Sequence, residues 1–302
     1  MVNARVVPSR PVVAYLALAG GVVALSLSGI FVHWSTAPGV VTSFYRMVIA
    51  TTLLFPVVIW RIRKMGFPPV RLLIFPLLGG LFTALDQGSW STAIGMTSIA
   101  NATLLNNIAP LWVGLFAALV WRERMSARFW VGLALTLVGA GVVLGNDLIH
   151  QPHLGLGDGI ALVSSLFWAG YYLVTQRGRA FIDTLIYIWL VELVTALFLG
   201  PFNLITGMPL TGFPRETWLA ILAAGVISQL SGHFLLAYAL GHLPASVVSP
   251  TMISQPVATS LLAIPLAGQL LSAGQWLGGL VVVAGIYLVN ISRGQQSDHL
   301  AD

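Results

Sequence analysis

Four ionisable side chains stand inside long apolar stretches of this 302-residue chain: Arg46, Asp86, Glu192 and His233. In a lipid-spanning helix such a charge costs roughly 2.5 to 3.5 kcal/mol at the centre, so each needs a physical reason to be there. A carboxylate or an imidazole in that setting can carry a proton, and an arginine or a carboxylate can hold the opposite charge of a zwitterionic solute. The same groups can instead pair to hold helices together, or snorkel to a nearby interface. Arg46 is open to either role. Asp86 and Glu192 lie within reach of a helix end if the boundaries shift, which favours the structural alternative for both.

Uncharged polar and aromatic residues gather at similar depths. Gln87 is followed along one helix face by Trp90 and Ile94, about one and two turns on. Thr103, Asn106 and Asn107 add hydrogen-bonding groups beside Pro110, and Ser249 stands near Pro256. Each proline lacks an N–H, freeing the carbonyl of Asn106 or of Met252, and a freed carbonyl at membrane depth is tolerated where protein or a wet cavity surrounds it. Trp168, Tyr172 and Thr175, with Ser164 one turn before, form a stripe suited to an amphipathic solute with an apolar side chain. Packing between helices is the alternative for that stripe and for His233. Trp60, Trp121, Trp130 and Trp276 fall near the ends of apolar runs, as interfacial anchors do.

These residues need apolar helices to position them, and the composition supplies them. Hydrophobic residues make up 57% of the chain and charged residues 8%, too few charges to solvate a soluble surface. Ten stretches are long enough to cross a bilayer: Val12 to Val32, Val40 to Trp60, Leu72 to Ile94, Ile99 to Trp121, Phe129 to Gly145, Leu156 to Val174, Leu185 to Thr206, Trp218 to Leu240, Ala245 to Ala267 and Ala273 to Ile291. The reading is an all-α membrane protein of ten transmembrane helices. If the N-terminus is cytoplasmic, twelve of the 14 Lys and Arg residues fall inside, Arg215 alone falls outside, and Arg46 lies within a helix. That asymmetry puts both termini in the cytoplasm of a cell with this protein in its inner membrane. The net charge of +5 is thereby a matter of topology and not a nucleic-acid footprint.

The chain also repeats itself. A shift of 146 residues brings Gly79 onto Gly225, Ala93 onto Ala239, Gly95 onto Gly241, Pro110 onto Pro256, Trp130 onto Trp276, Gly132 onto Gly278 and Gly139 onto Gly285. It also places His233 opposite Gln87. Because each unit holds an odd number of helices, the second copy enters from the opposite side, giving two inverted five-helix repeats over residues 12–150 and 151–292, with tails at 1–11 and 293–302. Helix packing is expected at Gly141-x3-Gly145 and Gly274-x3-Gly278, within one chain or between two chains of a homo-oligomer.

The stretch from Asn101 to Leu144, with Pro110, the Trp121-Arg122-Glu123 step, Trp130 and Gly132-x6-Gly139, resembles the EamA-type unit of the drug/metabolite transporter superfamily. Ala245 to Asn290 repeats the pattern, and Arg46 matches a position where such units often carry arginine. The resemblance covers nearly the whole chain and implies transport by a ten-helix fold. Size and tryptophan content look most similar to bacterial amino-acid exporters, the aromatic amino-acid group included. One departure stands out: the loop acid is Glu123 in the first unit and Gln269 in the second.

Enzyme chemistry is disfavoured, since no zinc-binding histidine pattern, P-loop or nucleophile elbow occurs and cysteine is absent. No cofactor or metal is expected. The expected function is export of small amphipathic metabolites, most of all amino acids, by alternating access around helices three, four, eight and nine. Export of purine nucleosides or drugs, and a non-transporting membrane subunit, are the alternatives.

Overall fold

The computed structural model describes residues 11–97, 99–144, 155–267 and 271–298. Arg5, Arg10, Gly145, Gln269 and the segment joining the two repeats lie outside the described residues. The chain folds as α1 (Pro11–Trp34), α2 (Gly39–Met65), α3 (Ile74–Ile94), α4a (Ile99–Asn106), α4b (Ala109–Leu119), α5 (Ala127–Leu144), α6 (Leu156–Arg179), α7 (Thr184–Ile205), α8 (Arg215–Leu240), α9a (Ala245–Met252), α9b (Gln255–Ala267) and α10 (Ala273–Asp298). Helix is the only regular structure that satisfies the backbone of one apolar segment from within. Among the described residues, nine spans are long and apolar enough to cross a membrane. The tenth, α6, is 24 residues long but carries Asp158, Ser164, Ser165, Tyr171, Tyr172 and Thr175. It is the span that holds most of the candidate site.

Helix bounds recur at the repeat distance. Adding 146 to 99–106, 109 and 127 gives 245–252, 255 and 273, the bounds of α9a and the starts of α9b and α10. The repeats also interlock: α3 packs on α6 and α7 of the second unit, and α8 packs on α1 and α2 of the first. An added Cβ on Gly132 would lie 2.8 Å from the Gly285 carbonyl oxygen, and one on Gly278 would lie 2.8 Å from that of Gly139. The repeat shift turns the first of these contacts into the second, so a pseudo-two-fold axis runs between α5 and α10. The close approach is therefore made within one chain by Gly132-x6-Gly139 and Gly278-x6-Gly285. Gly141 and Gly274, expected to pack closely, do not: a Cβ on Gly141 would meet only Leu104 at 3.9 Å, and one on Gly274 only its neighbour Ser272.

Three further features depart from the sequence reading. Spans four and nine are not single kinked helices but pairs of half-helices, broken at Asn107–Ile108 and Ile253–Ser254, just before the prolines. A proline near the N-terminus of a helix needs no N–H partner, so Pro110 and Pro256 each start a second half-helix and do not bend a continuous one. Within α8, Ala224–Gly232 is π-helical, a wider winding that often marks functional sites. Finally, α10 continues to Asp298, beyond the expected end at Ile291.

Loop chemistry fixes the ends. Gly66, at φ 81, closes α2 with its N–H on the Ile62 carbonyl. After α4b the chain turns through Arg122 at φ 54, the one described non-glycine residue with positive φ. Asp183 caps α7 through its side chain and also takes the Arg61 guanidinium at 2.9 Å, tying α2 to the α6–α7 turn.

Candidate functional site

The first polar centre forms where α4 breaks. Asn106 is the last residue of α4a, and its Nδ2 donates to Asp86 Oδ1 at 2.8 Å and to Ser164 Oγ at 2.7 Å. Ser164 Oγ in turn donates to the same Asp86 oxygen at 2.7 Å, so one carboxylate oxygen joins α3, α4a and α6. Asp86 is 5% exposed and sits about two turns inside the end of α3. Both donors are uncharged, so the carboxylate is solvated without being neutralised. Nearby, Trp112 Nε1 donates to Ser165 Oγ at 2.8 Å, tying α4b to α6.

The second centre lies between α7 and α8. Gln229 Nε2 donates to both oxygens of Glu192, at 2.9 and 3.0 Å, and stands 2.8 Å from His233 Nδ1. The imidazole is 3.3 Å from Glu192 Oε1. Glu192 is 1% exposed and well inside α7, so neither it nor Asp86 is the end-of-helix charge that the sequence suggested. Gln229 belongs to the π-helical turn, whose winding brings it and His233 to the same carboxylate.

Aromatic rings connect the centres. Trp168 stacks on Tyr171 with centroids 4.8 Å apart and planes 3° apart, and meets Tyr172 edge-on at 5.0 Å. The His233 ring stands 6.1 Å from both Trp168 and Tyr171. Tyr171 and Tyr172 are fully buried, whereas Trp168 remains partly accessible.

Arg46 is the fourth component. It is 8% exposed, yet its Nε makes no hydrogen bond. Its helix packs against α7, which carries Glu192. One turn earlier, Ser43 Oγ donates to Gln87 Oε1 at 2.7 Å, joining α2 to the α3 turn that carries Asp86.

The remaining expected residues fall in several places. Trp90 packs against the buried cluster of Ala93, Ala102 and Ala161. Thr103 is partly buried on α4a and its carbonyl accepts from the Asn107 N–H at 3.0 Å. The Asn107 amide nitrogen is buried without a hydrogen-bond partner at the break. Ser249 donates to the Ala245 carbonyl at 2.7 Å, so its hydroxyl mends its own helix. Thr175 bonds the Tyr187 hydroxyl at 3.1 Å and belongs to packing. Among tryptophans assigned to interfaces, Trp60 and Trp276 are exposed, while Trp121 lies under the Arg177 guanidinium at 4.5 Å.

Sequence reading missed Gln229, Tyr171, Ser165, Trp112 and Ser43. Gln229 lies four residues before His233, a spacing that marks one helix face and was available to be read. As a set, the site offers carboxylates, an open guanidinium and aromatic faces, the equipment of non-covalent recognition. Among the described residues, no group of three or more His, Asp or Glu side chains could hold a metal ion.

Comparison with known proteins bears on the family and the fold. The EamA-like transporter family profile matches residues 12–145 and 155–291. An uncharacterized transporter of Archaeoglobus fulgidus is 23% identical over 84% of this chain and 88% of its own length. A riboflavin transporter of Rhizobium johnstonii is 27% identical over 77% of this chain and 76% of its own. A pseudopaline exporter of Pseudomonas aeruginosa is 27% identical over 72% of this chain and 74% of its own. A crystal structure of another protein superposes with TM-score 0.78, covering 93% of this chain and 98% of that one at 18% identity, a likeness of fold.

Proposed function

The chain belongs to the EamA-like transporter family, a family of small-solute transporters, and from that premise we propose that it exports small amphipathic metabolites, foremost neutral and aromatic amino acids, by alternating access. The observation that carries the reading is the partly accessible Trp168, held beside His233 and the buried Glu192 by α6, α7 and α8. An aromatic face suits an apolar side chain, and buried charges of both signs suit a zwitterion. The breaks in α4 and α9, at equivalent positions of an inverted repeat, supply the bending elements: helices three, four, eight and nine move as the two repeats exchange conformations. The charge asymmetry of the loops supports an inner-membrane location with both termini cytoplasmic.

A planar heterocycle, such as a flavin or a purine nucleoside, is the second reading. It is favoured by the parallel Trp168–Tyr171 stack and by the likeness to a riboflavin transporter. Counterflow into liposomes holding the purified protein separates the two, using labelled phenylalanine, leucine, adenosine, riboflavin and a cationic dye, each with and without a pH gradient. The proposal expects saturable counterflow of the amino acids. Saturable flux of another class with none of amino acids would assign the site to that class, and no flux of any solute by the protein alone would make it a non-transporting subunit.

A further inference from the structure

We propose that Arg46 is the anion subsite of the transport path, taking the carboxylate of the solute, and that Glu192 is the internal acid that competes for it. The ligand named here rests on the proposed export of amino acids; the site itself rests on three observations.

The first is an open cation. Arg46 is buried in α2, its Nε has no hydrogen-bond partner, and no side chain among the described residues forms an ion pair with it. A desolvated guanidinium carries five N–H donors in a planar fork that matches a carboxylate. Leaving such a group unpaired is costly, and a site that is filled during turnover gives the cost a purpose.

The second is register. Adding the repeat distance of 146 to 46 gives 192, so Arg46 and Glu192 occupy equivalent positions in the two repeats. Helices α2 and α7 pack on each other, so the helices that carry the two charges meet across the pseudo-two-fold axis that relates the repeats. Exchange of the repeats keeps the backbone separation of symmetry-related positions, so Glu192 stays near Arg46 in both states and what changes is the set of side chains that hold it.

The third is that the acid is already engaged. Both Glu192 oxygens accept from Gln229, and His233 stands against one of them. In this arrangement Glu192 is held by α8, and the Arg46 fork is left for another anion. Asp86, joined to the Arg46 turn through the Ser43–Gln87 bond and satisfied only by neutral donors, is the negative group placed to face the ammonium end of a zwitterion. Solute carboxylate and Glu192 thus alternate on one guanidinium, which links occupancy to the position of α8.

The test compares phenylalanine with phenethylamine, which lacks the carboxylate, and with phenylacetate, which lacks the ammonium. In liposomes, Arg46→Gln is expected to lose phenylalanine transport efficiency by about tenfold to a hundredfold, the scale of a charge-assisted hydrogen bond, with phenethylamine changed by less than about twofold. Arg46→Lys falls between, and Glu192→Gln lowers the KM for phenylalanine because the competitor is gone. Equal loss of both solutes in a folded Arg46→Gln protein, or a raised KM in Glu192→Gln, overturns the proposal. On the unaltered protein, phenethylamine should compete with phenylalanine at least about tenfold more weakly than leucine does, and equal competition overturns it without any variant. If no amino acid is moved at all, the substrate reading fails alone. The Arg46 subsite is then judged by phenylacetate raising the melting temperature of the unaltered protein and not of Arg46→Gln, and the absence of that difference overturns it.

Discussion

Helices α3 and α8 hold the same place in the two repeats and do different things with it. Both pack on the first two helices of the opposite unit, and both bring a glycine against a neighbour, Gly79 against Val191 and Gly225 against Ile49. Yet α3 is a regular α-helix whose Asp86 draws its donors from the α4 break, whereas α8 contains a π-helical turn that delivers Gln229 to Glu192. The position equivalent to Asp86 is Gly232, where a Cβ would lie 2.9 Å from the Leu25 side chain, so a side chain there would have to displace Leu25. The position equivalent to Gln229 is Thr83, whose hydroxyl bonds its own helix at Gly79. Glycines and prolines therefore keep the symmetry that lets two units exchange states, while the polar residues abandon it. A symmetric frame around an asymmetric site is what an asymmetric solute requires.

The largest expected effect breaks the frame. Gly139→Val forces a side chain to within 2.8 Å of the Gly278 carbonyl, a contact with backbone that cannot yield. It should abolish monodisperse protein or lower the melting temperature sharply, by a destabilisation of about 3 kcal/mol or more. Gly141→Val, two residues on in open space, should leave the melting temperature within a few degrees. Equal behaviour of the two variants would remove the α5–α10 seam from the account.

Next comes the first polar centre. Asp86→Ala leaves Asn106 and Ser164 without their shared acceptor, costing about 1 to 3 kcal/mol, and should suppress counterflow with a measurable loss of melting temperature. Gln229→Leu sharpens the contrast between repeats. It strips Glu192 of its two-oxygen donor and should slow transport by about tenfold, whereas Thr83→Val, the same register in α3, should slow it by less than about twofold. Similar losses at both positions would mean that the π-helical turn has no special part. The smallest effect is expected at Arg61→Gln, which removes a partly exposed ion pair and should cost less than about 1 kcal/mol in a denaturation or melting assay.

The apolar runs, the glycine and proline register and the paired positions of the two units are visible in sequence because lipid leaves few alternatives to a helix of about 20 residues. Details that depend on winding are not. Pro110 and Pro256 are compatible with a kink or a break, and only the neighbouring backbone decides. The four-residue spacing of Gln229 and His233 is legible in sequence, whereas the π-helical winding that turns both toward Glu192 is not. The familiar packing signal is a small residue at every fourth position, which points to Gly141 and away from the Gly132-x6-Gly139 seam. Sequence places depth only to within a few residues, which leaves Asp86 and Glu192 compatible with charges at helix ends.

Alternating access requires one site to face each side of the membrane in turn. The chain has no cysteine, so Asn107→Cys, at the α4 break where the amide nitrogen has no partner to lose, creates a single thiol. A membrane-impermeant maleimide is applied to intact cells and to inside-out vesicles, each with and without saturating phenylalanine. Alternating access predicts labelling from both sides, with the rate changed by the solute in both preparations; labelling from one side only, indifferent to every solute that the protein moves, would contradict it.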